Sequence, residues 1–86
     1  MKKHEWREKT EEGETRLVTA MRHGGKWKLQ SRLKSESEWT QFPVIELEDL
    51  ESLREVLWNK YQRNRVPHDQ VMEVDALIEA AKERGN

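Results

Sequence analysis

The sequence contains no cysteine, and that absence removes several chemistries at once. Without a thiol there is no disulfide, no thiolate metal site and no cysteine nucleophile, and a reducing compartment is the natural setting. Proline is nearly missing too: only Pro43 and Pro67 occur, so the chain has just two positions at which a helix interior or inner strand is disfavoured by proline. The four glycines stand at 13, 24, 25 and 85, which leaves neither a phosphate-cradling P-loop nor a Gly-x-Ser-x-Gly elbow. No run of 18 apolar residues exists, so no membrane-spanning helix is expected. The opening residues Met1-Lys2-Lys3-His4-Glu5 carry charge where a secretory leader needs an apolar stretch. Together these absences lead us to expect a soluble, cytoplasmic protein.

What is present is charge. Charged residues make up 38% of the chain and hydrophobic ones 34%, a balance that leans toward disorder. Four tryptophans and two amphipathic stretches oppose that tendency. Eighty-six residues allow one domain, and residues 1–86 are read as a single unit with a small core. The net charge of −1 hides a strong asymmetry. Residues 1–34 hold ten Lys/Arg against five Asp/Glu, whereas residues 35–58 hold one Arg against seven acids. Either the two segments neutralise one another or a basic face is aimed at an anionic partner.

The strongest local pattern is Leu47–Tyr61. At about 100° per residue, Leu47, Leu50, Leu53, Leu57, Trp58 and Tyr61 fall on one side and Glu48, Glu51, Ser52, Glu55 and Asn59 on the other. Acids crowd its start and Lys60, Arg63 and Arg65 its end, as the helix dipole favours. A helix over about 47–63 is predicted. Pro67 then opens a second helix over about 67–84, with Val71, Val74, Leu77, Ile78 and Ala81 on its apolar side and Gly85 as its stop.

Ahead of these helices the period is two. Strands are predicted over about 4–10, 15–23 and 26–33, with a short fourth over 38–42 that Pro43 ends. Gly24-Gly25 marks a hairpin. A strict two-residue loop would place Leu17 and Met21 beside Lys28 and Arg32. A one-residue shift segregates the faces better: Leu17, Met21, Leu29 and Leu33 share one, and Arg16 and Arg22 join Lys28, Arg32 and Lys34 on the other. Since a slip of one residue inverts every side chain, the cleaner segregation predicts a three-residue loop at Gly24-Gly25-Lys26. The expected fold is therefore α+β: an antiparallel meander of three or four strands followed by two helices packed on one sheet face.

Candidate functional residues follow from this layout. Arg16, Arg22, Lys26, Lys28, Arg32 and Lys34 form a candidate phosphate-binding set, because several cations on one surface gain affinity through counterion release. A solvated sheet face carries the same residues for solubility alone. Trp27, expected on the apolar face, is poorly placed for stacking. Arg54 sits inside the apolar stripe of the first helix, where it either reaches solvent along its stem or pairs with an acid of another chain. Trp6, on an expected edge strand, and Trp58, at the rim of the helix stripe, join Arg54 as a candidate partner interface, since Trp is enriched at binding hot spots. Core packing is the alternative for both. His4, His23 and His68 have no metal-ligand spacing, and no catalytic constellation stands out.

A meander with a basic hairpin followed by a helix resembles the architecture of the positive-cofactor type of transcriptional coactivator, which implies single-stranded DNA binding by a dimer. The resemblance lies in element order, and no residue is carried over from it. The function expected is that of a small non-catalytic interaction module, protein-binding or self-associating as a homodimer. The alternative is a nucleic-acid-binding module using the hairpin face. Neither an enzymatic activity nor a cofactor is expected.

Overall fold

A computed structural model describes residues 3–85. It is α+β, a four-stranded antiparallel sheet followed by two helices. The strands are β1 (Lys3–Lys9), β2 (Thr15–His23), β3 (Lys26–Leu33) and β4 (Thr40–Phe42), paired in chain order. The helices are α1 (Leu47–Gln62) and α2 (His68–Arg84). Two compact units result, a sheet unit ending at Val44 and a helical unit beginning at Ile45.

Turn chemistry sets the sheet register. Gly24 and Gly25 have φ of +59° and +79°, the pair of left-handed residues that a two-residue type I′ hairpin requires. His23 consequently faces Lys26, Met21 faces Lys28 and Leu17 faces Arg32. The three-residue loop expected from face segregation is not formed. Such a loop uses a left-handed residue at one position, whereas two consecutive glycines make the tighter, twist-matched turn accessible without a Cβ penalty.

The register redistributes the side chains. One face carries His4, Val18, Ala20, Leu29 and Ser31, all buried, and with them Trp6, Arg16, Arg22, Trp27, Leu33 and Phe42. The opposite face carries Lys3, Glu5, Arg7 and Lys9 of β1, Leu17, Thr19 and Met21 of β2, and Lys26, Lys28, Gln30 and Arg32 of β3. Leu17 and Met21 thus do not share a face with Leu29 and Leu33. The mixed face tolerates them because its margins stay open: five of its six cations are exposed and Arg32 is half-exposed, while Thr19 at its centre is buried.

The β1–β2 turn closes with Thr10 and Glu14. The Thr10 N–H donates to the Glu14 carbonyl at 2.9 Å, and the Thr10 Oγ1 accepts from the Glu14 N–H at 3.1 Å. β4 is shorter than expected, starting at Thr40 and leaving Trp39 outside the ladder. Its Gln41 amide donates to Gln30 Oε1 at 2.6 Å.

In the helical unit, α1 contributes Leu50, Leu53 and Leu57 to the core, and α2 contributes Val71, Val74, Ile78 and Ala81, all buried. Leu77, expected in that stripe, lies at its margin and is exposed. Asn64 ends α1 in the left-handed region at φ +59°. The Asn64 N–H donates to the Tyr61 carbonyl and the Arg65 N–H to the Lys60 carbonyl, at 2.9 and 2.8 Å. These two bonds make a Schellman cap, with asparagine where glycine is commonest. Pro67 is the N-cap of α2 rather than its first residue, a one-residue difference of the kind helix ends allow.

Candidate nucleic-acid interface

The six hairpin cations singled out from the sequence do not share one surface. Lys26, Lys28 and Arg32 project from the open face, Lys26 and Lys28 exposed. Arg16 and Arg22 project from the opposite, buried face, opposite Leu33 and Trp27. Arg16 Nη1 donates to Glu8 Oε1 at 2.7 Å, and its guanidinium lies 5.8 Å from the centre of the Phe42 ring. It acts as a clamp between β1, β2 and β4. Lys34 follows the end of β3, and its N–H still donates to the Thr15 carbonyl at 2.8 Å. Its side chain lines a shallow depression with Glu14, Thr15 and Ser35.

The open face gains what the hairpin loses. Lys3, Arg7 and Lys9 of β1 alternate onto it, so within the strands six cations meet a single acid, Glu5. Among the described residues, no acid lies within ion-pair distance of Arg7, Lys26, Lys28 or Arg32. Two strand spacings of about 4.8 Å separate the β1 and β3 cations, so they stand roughly 10 Å apart across β2. The β1 cations were legible in the sequence as an odd-numbered series, Lys3, Arg7 and Lys9, once the strand was assigned.

Trp39 supplies an aromatic group at the border of this surface. It is 38% exposed, and the Arg32 guanidinium carbon lies 5.3 Å from its ring centroid. Arg32 is itself held: Nη1 donates to the Glu36 carbonyl at 2.7 Å, while the Leu33 N–H donates to Glu36 Oε1 at 2.9 Å. The loop between β3 and β4 is folded back around Arg32. A depression of about 430 Å³ lies here, lined by Arg7, Leu17, Thr19, Arg32, Trp39 and Glu5 among others. It combines two guanidinium groups, an apolar floor and an indole wall. Trp27, by contrast, stays on the buried face, its ring 5.7 Å from that of His4.

The candidate partner residues fall in both units. Trp6 is half-buried on the buried face of the sheet, and its Nε1 is enclosed without a hydrogen-bond partner among the described residues. Arg54 finds its acid within its own chain, with Nε 2.5 Å from Asp75 Oδ1 on α2. The same guanidinium lies 5.5 Å from the Trp58 ring. Trp58, 36% exposed, is followed by Tyr61 at 5.5 Å and Tyr61 by His68 at 5.0 Å, between ring centroids. Arg54, Trp58, Tyr61 and His68 therefore form a continuous row along the helical pair. Beside it, a depression of about 520 Å³ is lined by Glu51, Arg54, Asp75, Ile78, Glu79 and Lys82.

Among the described residues, no three His, Cys, Asp or Glu side chains come together as a metal site. No described helix is long and apolar enough to cross a membrane. The fold is a small α+β one whose sheet unit carries a cationic surface. Comparisons with protein families, curated proteins and solved structures find no match for the chain.

Proposed function

We propose that the chain is a non-catalytic binding module of the cytoplasm whose working surface is the open face of the sheet, and that its ligand is single-stranded nucleic acid. One observation carries this reading: six cations against one acid on a single solvent-open face, with exposed Trp39 at its border. Cations on a continuous surface bind a phosphate chain by releasing its counterions. Nearby aromatics add stacking on unpaired bases. A duplex hides its base faces and would leave Trp39 unused, so the aromatic favours a single strand. Leu17 and Met21, half-buried between the cations, offer apolar contact to sugars and bases.

The test is fluorescence anisotropy with an oligonucleotide of about 15 residues at two salt concentrations. If four phosphates are neutralised, affinity falls about 50-fold between about 50 and 200 mM salt. No binding at the lower salt removes this reading.

A second reading keeps the module but gives it a protein partner. Its support is the row Arg54–Trp58–Tyr61–His68, which places an exposed tryptophan beside a charged pair, the composition of a binding hot spot. It is favoured over the first if oligonucleotide binding is absent.

A further inference from the structure

β1 is an edge strand whose outer side is unpaired within the sheet. Its sequence, Lys3-His4-Glu5-Trp6-Arg7-Glu8-Lys9, is organised about Trp6. Laid antiparallel against a second β1 with Trp6 opposite Trp6, it brings Glu5 opposite Arg7 and Arg7 opposite Glu5. We infer that the β1 edge is a self-association surface, and that two copies of this chain pair there across a two-fold axis through Trp6.

The backbone supports that register. Neighbouring residues of a strand direct their main-chain groups alternately to either side. Thr10 directs its N–H to Glu14 of the adjoining strand, so Glu8, Trp6 and His4 face β2 in the same way. Lys3, Glu5, Arg7 and Lys9 therefore present their N–H and C=O groups outward. In the Trp6-centred pairing these outward residues meet each other and a full antiparallel ladder can form, with the two attractive Glu5–Arg7 pairs next to the axis and the like-charged Lys3–Lys9 pairs at its two ends. The two Trp6 residues occupy a non-hydrogen-bonded pair, in which side chains approach most closely. Odd shifts of register set outward groups against inward ones and form no ladder. Shifts of two set Arg7 against Arg7 or Glu5 against Glu5 on the axis itself, where like charges directly opposed are unfavourable; the first also sets Glu5 against Lys9, but both lose the Trp6 pair, setting Trp6 against Glu8 or His4 instead.

Charges on an edge strand commonly discourage pairing. Here opposite charges flank the centre of the Trp6 register, which alone sets the two Trp6 side chains against each other. β4 offers no equivalent, being three residues long and followed by Pro43. The resulting sheet has eight strands, and its axis is perpendicular to it. Both cationic faces then lie on the same side. The inference does not rest on nucleic-acid binding and stands if that reading fails.

Sedimentation of the free protein over a wide concentration range tests it, without any oligonucleotide. The wild type is expected to form a dimer. Glu5→Arg and Arg7→Glu each place like charges opposite one another twice per dimer, and each should weaken association by about 30-fold. The double variant E5R/R7E restores complementarity and the dimer. Mixing the two single variants should yield a heterodimer, since each supplies the charge the other lacks. A wild type that is monomeric throughout overturns the inference, as does a dimer unaffected by the single variants or one that neither the double variant nor mixing restores.

Discussion

The Arg32 guanidinium lies 5.3 Å from the centre of the Trp39 ring, held there by its bond to the Glu36 carbonyl. The contact couples a strand cation to an indole outside the ladder, and the intervening loop wraps around the arginine. A cation on one side of the indole leaves the other side for a base. Since Arg32 is already ordered, a ligand bears little of the entropy of fixing it.

Trp39→Ala should therefore weaken binding of a single strand by roughly 5- to 100-fold, the range for losing one stacked base. Its salt dependence should stay unchanged, because no cation is removed. The lost contact with Arg32 should also cost about 1 kcal/mol of stability. Anisotropy at several salt concentrations and urea unfolding measure the two effects separately.

Cations of the two sheet faces should behave differently. Lys28→Ala removes an open-face cation and should reduce the slope of log affinity against log salt by about 0.7. Arg16→Ala removes the clamp to Glu8 and should leave that slope unchanged while costing about 1 kcal/mol of stability. If Arg16→Ala changes the slope as Lys28→Ala does, the division between faces is wrong.

The hairpin tip depends on backbone conformation. A Cβ added at Gly24 or Gly25 meets nothing within 4 Å, so any cost comes from the positive φ alone. Gly24→Ala and Gly25→Ala should each destabilise by about 1–2 kcal/mol. Gly24→Asn should cost less, because asparagine tolerates the left-handed region. Thermal or urea unfolding reads the difference, and equal effects of Ala and Asn would contradict the turn assignment.

Asn64 offers the converse experiment. It holds φ +59° at the end of α1, and glycine there removes the residual steric cost. Asn64→Gly should be neutral to stabilising by a few tenths of a kcal/mol, and Asn64→Ala destabilising by about 1 kcal/mol. Loss of stability on Asn64→Gly comparable to that on Asn64→Ala would show that the asparagine side chain matters rather than its backbone.

The elements themselves were legible because each is carried by a local period. Alternation marks 15–23 and 26–33, and the recurrence of Leu50, Leu53 and Leu57 marks the first helix. Register was not legible from the same pattern, because two rules disagreed at Gly24-Gly25. Segregation of apolar side chains favoured a three-residue loop, and left-handed turn geometry favoured two. The turn prevailed because both its residues are glycine and because an open face bears a mixed composition at little cost. Trp39 was missed for a related reason. The predicted strand over 38–42 included it, whereas the strand begins at Thr40 and leaves the indole outside the ladder, against Arg32. Arg54 was recognised as an anomaly within an apolar stripe, but Asp75 lies 21 positions away, beyond the reach of any local pattern.

The open sheet face is best tested by titrating a single-stranded oligonucleotide into the wild type and into the double charge-reversal variant K26E/K28E at low salt. Both residues are exposed hairpin cations, so the fold should persist. The wild type is expected to bind with a steep salt dependence and to favour the single strand over a duplex of equal length, while the variant should lose at least about tenfold in affinity. Equal affinity of the two proteins, or no binding by the wild type, would contradict the assignment of this face.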